Sequence, residues 1–126
     1  RIPLTTCLVL TTPQDVSISD CRRGIEMIKK FNLPITGIIE NMSWFQPDDQ
    51  NKKYYLFGKD GGKELAREYS LDLLAQLPLV ELNKKTILNH PLLKSEFVKI
   101  SSKLIESVKS IKKERLTKIP QVTIIK

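Results

Sequence analysis

Two short apolar segments near the start of the chain each end in polar residues, and an amphipathic segment lies between them. Residues 5–11 are rich in β-forming side chains and lead into residues 12–15, whereas residues 35–40 lead into Asn41. Strand, helix and strand within about 35 residues are typical of a βαβ unit, whose crossover is right-handed almost without exception. Because such strands are parallel, both polar clusters are expected at the sheet edge where open α/β sheets bind ligands.

Apolar residues at helical spacing occur both between the two strands and near the C-terminus, which predicts two amphipathic helices. The first is expected to be capped by Ser17 or Ser19 together with Asp20, because short polar side chains there satisfy free backbone N–H groups. The second covers residues 95–114 and is predicted to be a long helix that packs on the sheet.

Weaker signals complete the predicted fold. They are a short strand over residues 54–57, a glycine turn followed by a short helix over 63–69, and a third parallel strand over 73–77 that ends at Pro78. Residues 120–125 are consistent with an edge strand. The sequence therefore predicts a three-layer α/β fold with a mostly parallel sheet, made of a domain over residues 1–114 and a basic tail over residues 115–126.

Length and composition fit one modest domain, since the chain has 126 residues of which 40% are hydrophobic. It begins at Arg1 rather than at a methionine, which is typical of an internal start and predicts a piece of a longer protein. No signal peptide and no membrane-length apolar run are evident, and Cys7 and Cys21 do not form a disulfide framework, so a cytoplasmic location is expected.

The net charge of +7 is concentrated near the C-terminus. Residues 1–93 carry 12 basic and 11 acidic side chains, whereas residues 94–126 carry 9 basic and 3 acidic ones. A basic tail is one mark of proteins that bind nucleic acid or anionic membranes. These lysines lack interleaved aromatic residues and any known reader motif, so a solvated helix face is favoured and neither partner is expected.

Asn41 is the strongest candidate for a ligand contact. A side-chain amide at the end of a buried strand can donate to and accept from a purine edge at the same time. Asparagine also often turns the chain after a strand. Spacing alone favours neither interpretation over the other.

Pro78, Gln14 and Asp15 follow the other two strands. Pro78 would give a flat apolar surface for a base, although by itself a plain strand terminator is the more common role. Gln14 and Asp15 could reach a ribose, a phosphate-bound water or a partner subunit. A turn that starts the next helix is the favoured role for both on local grounds.

Several kinds of site are not indicated. The chain has no G-x-x-x-x-G-K-[ST] phosphate-binding loop. Residues 57–62 are glycine-rich but lack the Lys-Ser/Thr ending, so a turn with positive φ is favoured there. With His90 as the single histidine and no zinc or iron–sulfur spacing of the two cysteines, no catalytic residue and no metal site are predicted.

Four segments together resemble the C-terminal half of the Mrp (ApbC) family, which are P-loop ATPases related to MinD and ParA that act as iron–sulfur cluster carriers. They occur in family order and spacing over roughly residues 3–80. The E-N-M-S-W-F run followed by F-G-x-x-G-G is the most specific part. The segments are residues 11–16 (TTPQDV), 37–45 (GIIENMSWF), 56–66 (LFGKDGGKELA) and 77–79 (LPL).

The resemblance implies a partial P-loop NTPase fold in which Asn41 contacts adenine and the Pro78-Leu79 loop packs beside it. It implies ATP with Mg²⁺ at a homodimer interface, with Pro13, Gln14 and Asp15 near that site. It also implies iron–sulfur acceptor proteins as partners.

Two departures from the family pattern affect these expectations. The phosphate-binding loop and the switch carboxylates of the family belong N-terminal to Arg1, so this chain alone is not expected to hydrolyse ATP. Many relatives carry a C-x-x-C pair after the N-M-S-aromatic-F run, where residues 46–50 here read QPDDQ. Thiolate ligation of an iron–sulfur cluster by this loop is therefore excluded, and a cluster would have to be held elsewhere.

Two other functional classes stay open. A MinD- or ParA-like positioning ATPase would use the basic tail to bind membrane or DNA. A non-enzymatic scaffold would associate through an unpaired strand at the edge of its sheet.

Overall fold

The computed structural model describes residues 3–47, 49–81 and 89–118. Three strands and three helices alternate along these residues. In chain order they are β1 (Cys7–Thr11), α1 (Asp15–Lys30), β2 (Ile35–Glu40), α2 (Gly61–Tyr69), β3 (Leu73–Gln76) and α3 (Pro91–Thr117).

The strands form one parallel sheet in the order β1-β2-β3. Thr11 pairs with Glu40, and Glu40 pairs with Gln76. The last residues of all three strands therefore lie side by side at one edge, which is called the carboxyl edge below.

Each face of the sheet carries its own hydrophobic core, and the two cores make the three layers that the sequence predicts. The first lies between the sheet and helices α1 and α2, and its buried residues are Val9, Ile18, Ile25, Ile38, Leu65 and Ala66. The second lies between the sheet and α3, and its buried residues are Ile39, Leu74, Ala75, Leu77, Leu93 and Ile100. The α/β fold with a long C-terminal amphipathic helix is confirmed.

The predicted cap of the first helix is wrong. Helix α1 already begins at Asp15, and its N-cap residue Gln14 makes no side-chain capping bond. Ser17 lies inside the helix, where its Oγ accepts a hydrogen bond from the backbone N–H of Thr12 at 3.0 Å and bonds to Thr11 Oγ1 at 2.9 Å. The serine hydroxyl is used to hold the turn between β1 and α1.

The other two helices begin earlier than the spacing of their apolar residues predicts. Helix α3 begins at Pro91 rather than at residue 95, because proline with its fixed φ is well suited to the first helical turn. Helix α2 begins at Gly61, directly after Asp60, which has a φ of 60°.

Instead of the predicted strand over residues 54–57, Tyr54 and Leu56 form isolated bridges to Phe45 and Gly58. The predicted edge strand over residues 120–125 lies outside the described residues, whereas α3 continues through residues 115–117. Within the described ranges, none of the helices combines the length and the apolar character needed to cross a bilayer.

Candidate functional site

Backbone hydrogen bonds join the loops that follow β2 and β3 at the carboxyl edge. Asn41 N donates to the carbonyl of Thr11 at 2.8 Å, and Leu77 N donates to the carbonyl of Glu40 at 2.7 Å. Ser43 N donates to the carbonyl of Leu77 at 2.9 Å. Backbone bonds therefore continue past the last strand residues and hold the polar segments in register at this edge.

Asn41 is exposed and stands directly after the end of β2. Its Oδ1 accepts a hydrogen bond from the backbone N–H of Met42 at 2.9 Å, and Met42 has a φ of 55°. Among the described residues, none accepts a hydrogen bond from the NH₂ group of Asn41. The side chain thus takes part in a turn, and its NH₂ group can still donate a hydrogen bond to a ligand at the edge.

The Pro78-Leu79 loop lies on the β3 side of Asn41. Pro78 is buried and Leu79 is half-buried. Leu79 N donates to the carbonyl of Trp44 at 2.7 Å, which ties this loop to the segment that follows Asn41. Leu79 offers more apolar surface at the edge than Pro78 does.

Pro13 lies on the β1 side and is buried against the glycine-rich turn. A Cβ added to Gly61 would lie 2.6 Å from the carbonyl oxygen of Pro13. Gly58 has a φ of 102°, so the positive φ predicted for this turn is present. Gln14 and Asp15 are exposed at the start of α1, where Gln14 Oε1 accepts a bond from Thr12 Oγ1 at 3.3 Å.

A buried carboxylate beneath this edge was missed by sequence reasoning. Glu40 has no exposed surface. Its Oε1 accepts hydrogen bonds from Ser43 Oγ at 2.7 Å and Gln76 Nε2 at 3.0 Å, and its Oε2 accepts one from the backbone N–H of Gly62. The sequence did contain one signal, an acidic residue at the end of an otherwise apolar strand. A carboxylate buried there would need hydrogen-bond partners.

The N-terminus of α2 supplies part of the environment that a buried carboxylate requires, since free N–H groups and the helix dipole stabilise negative charge there. Gln76 Nε2 also donates to Asp60 Oδ1 at 3.2 Å. Glu40 is therefore hydrogen-bonded to the turn after β2, to β3 and to α2, and these contacts hold the three segments together.

Residues 44–47 and 49–59 lie in a loop beside the edge. Lys53 Nζ lies 4.0 Å from the ring centroid of Trp44, and Phe45 and Tyr54 exchange backbone hydrogen bonds of 2.8 Å. Gln46, Pro47, Asp49 and Gln50 belong to this loop, where the resemblance in the sequence leads one to expect a C-x-x-C pair, and Asp48 lies outside the described residues.

The two cysteines lie elsewhere, both half-buried. Cys7 begins β1, and Cys21 Sγ donates to the carbonyl of Leu10 at 3.1 Å. Within the part of the chain that the structure describes, no group of three or more His, Cys, Asp or Glu side chains is arranged to hold a metal ion.

Comparison of the sequence with models of known protein families identifies a family with this kind of parallel sheet. Residues 1–113 match the ParA model described as NUBPL iron-transfer P-loop NTPase. The chain belongs to this family. The resemblance to Mrp-type carriers seen in the sequence is thereby confirmed.

Proteins similar to this NUBPL-type chain are named as iron–sulfur cluster carrier or transfer proteins. The mouse iron–sulfur cluster transfer protein NUBPL is 31% identical over 87% of this chain and 37% of its own length. The Helicobacter pylori iron–sulfur cluster carrier protein is 34% identical over 91% of this chain and 34% of its own length. The chain thus spans little more than a third of these relatives.

A solved structure shares the fold. It is a nucleotide-binding protein from Archaeoglobus fulgidus in complex with ADP, with a TM-score of 0.53 and 25% identity. The similarity covers 76% of this chain and 36% of that protein. The family and the fold therefore place this chain among P-loop NTPases.

Proposed function

We propose that this chain supplies the adenine side of an ATP site in a longer iron–sulfur cluster carrier of the NUBPL type. The observation that carries the proposal is the exposed Asn41 amide, which follows the central strand of the sheet at its carboxyl edge, between the segments that follow β1 and β3. Ligands of open parallel sheets bind at this edge, and an amide can pair with the hydrogen-bonding edge of adenine.

The loops on either side of Asn41 would complete the contacts to the nucleoside. Leu79, with Pro78 behind it, would pack against the base. Pro13 shapes the turn that carries Gln14 and Asp15, and these two exposed side chains would face the ribose or the second subunit of a homodimer.

The anionic part of the nucleotide would be bound by residues outside these 126. No phosphate-binding loop occurs in the chain, and in P-loop proteins backbone N–H groups and a lysine hold the phosphates while Mg²⁺ bridges them. Hydrolysis would therefore depend on that other part of the protein, and this chain alone would bind ATP weakly.

In this proposal the iron–sulfur cluster is cargo that the complete protein passes to acceptor proteins. The loop over residues 46–50 offers no thiolate, so the cluster would be bound by ligands elsewhere in the protein. A cytoplasmic location is part of the same proposal.

The proposal is tested by ATP binding to the complete protein, that is, this chain together with the phosphate-binding part that the proposal assigns to it. Asn41→Ala is expected to weaken ATP binding about tenfold, as loss of one good bidentate base contact does. Asn51→Ala, on the exposed loop, is the matched control and should bind like the unchanged protein. Isothermal titration calorimetry gives both affinities.

Equal affinities of the Asn41 and Asn51 variants would refute the role of Asn41. A complete reading frame without a phosphate-binding loop would refute the ATPase assignment as a whole. Micromolar ATP binding by the 126 residues alone would contradict the proposal that the phosphates are bound by residues outside this chain.

A further inference from the structure

Two buried residues flank the exposed turn that carries Asn41. Glu40 and Ser43 have relative exposures of 0% and 2%, whereas Met42 between them is 37% exposed and Asn41 is exposed as well. Ser43 Oγ donates to the carboxylate of Glu40 at 2.7 Å and also lies 3.1 Å from the Glu40 carbonyl oxygen. The two-residue turn is thus held at both ends by one buried side-chain contact.

This turn determines which way the Asn41 amide faces. Oδ1 accepts from the backbone N–H of Met42 at 2.9 Å, and this contact occurs with Met42 in a left-handed conformation with a φ of 55°. A backbone N–H can bond only to the oxygen of the amide and not to its NH₂ group. Rotation of the amide by 180° would break this bond, so the positions of its oxygen and nitrogen are fixed.

A fixed amide can distinguish adenine from guanine. Adenine presents the N6 amino donor beside the N7 acceptor, which matches an amide oxygen and NH₂ group side by side. Guanine presents the acceptor O6 where adenine has its amino group, so the tethered oxygen would face another oxygen. A freely rotating amide would avoid this contact by turning its NH₂ group toward O6.

We propose that Glu40 is a positioning residue that holds the turn at Asn41 and thereby makes the site select adenine over guanine. The inference rests on the proposed ATP site. Glu40 acts through its contacts and touches no substrate. Its carboxylate receives bonds from Ser43, Gln76 and Gly62, which belong to three different segments.

Glu40→Gln tests the role of Glu40, because glutamine has the same size as glutamate but its side chain has only one acceptor oxygen. If that oxygen faces Gly62, the new NH₂ group faces Ser43 and Gln76. Gln76 would then have to turn its own oxygen inward, which would break its bond to Asp60. The hydrogen bonds around Ser43 would rearrange, and the turn would lose its single conformation.

The measurement is the ratio of ATP to GTP affinity in the complete protein. Glu40→Gln should lower this ratio about tenfold, because ATP loses the fixed amide, whereas GTP binding stays the same or improves once the amide can turn its NH₂ group toward O6. Ser43→Ala removes one donor and should lower the ratio in the same direction. Ser107→Ala is the matched control, since it removes a hydroxyl that bonds to Thr36 near the opposite edge of the sheet.

An equal loss of ATP and GTP affinity, or an unchanged ratio in a folded variant, would show that Glu40 is only structural. If Glu40→Gln does not fold, Ser43→Ala decides by the same criterion. Equal affinities of the unchanged protein for ATP and GTP would refute this inference and leave the ATP site standing. Absence of binding to either nucleotide would refute both.

Discussion

At the scale of single residues, Gly62 is constrained by the carboxylate that it binds. Its N–H donates to Glu40 Oε2, so the start of α2 lies directly against the Glu40 side chain. A Cβ added to Gly62 would lie 2.9 Å from Glu40 Cβ and 3.0 Å from Oε2. Because Glu40 is buried, its side chain cannot move into solvent to make room.

Gly62→Ala is therefore expected to destabilise the protein by about 1–3 kcal/mol, the usual cost of overpacking a well-filled interior. Gly24→Ala is the matched control, because Gly24 lies in α1 with nothing within 4 Å of an added Cβ. Alanine there should stabilise the helix by roughly 0.5–1 kcal/mol. Urea unfolding of both variants measures the difference, and equal stabilities would contradict the close approach at Gly62.

The sequence predicted Asn41 at the carboxyl edge because one residue at the end of one strand is sufficient for that inference. It did not predict Gly62 and Gln76 as partners of Glu40, because these residues reach it only through tertiary packing of β2, β3 and α2. Local spacing carries no information about contacts between residues separated by 22 or 36 positions.

At the scale of elements, α1 and α2 are joined by an ion pair on the face away from the sheet. The guanidinium of Arg22 donates to both carboxylate oxygens of Glu68 at 2.8 Å, and the two side chains are 45% and 44% exposed. The hydrogen bond from Arg22 lowers the pKa of Glu68 below its ordinary value. This pair connects two helices that also share the first hydrophobic core.

The pair should give a small, pH-dependent contribution to stability. Because the folded-state pKa of Glu68 is lowered, the contribution is complete above the ordinary carboxyl pKa and is lost as pH falls through the folded value. A double-mutant cycle with Arg22→Gln and Glu68→Gln, followed by thermal unfolding, measures it. The coupling should be small at neutral pH, because the exposed pair is screened by water, and should vanish in acid; coupling that persists in acid would contradict this.

At the scale of the whole molecule, the sequence predicted the layers and the parallel sheet, because periodicity and strand spacing are properties of single segments. The exact helix starts were less predictable. Pro91 and Gly61 begin helices in positions where propensity alone indicates a turn. The strand order β1-β2-β3 fits right-handed crossovers, because α1 and α2 join successive strands and both pack on the same face of the sheet.

The sheet is covered less completely at its β1 side. Among the described residues, β1 pairs with β2 only. Leu8 packs against the core under α3, and Leu10, two positions later on the same face, is 62% exposed. An apolar strand edge of this kind favours association with other chains. In the longer protein that we propose, this edge would be covered by the remainder of the chain.

The isolated 126 residues are therefore expected to self-associate, and Leu10→Lys should weaken that association. Burial of one leucine contributes roughly 1.5–3 kcal/mol, so the dissociation constant should rise about tenfold or more. Met27→Lys is the control, because Met27 is 57% exposed on α1, which packs on the opposite face of the sheet. Sedimentation equilibrium compares the three chains. A clean monomer at high concentration, or an equal effect of both lysines, would show that the β1 edge needs no partner.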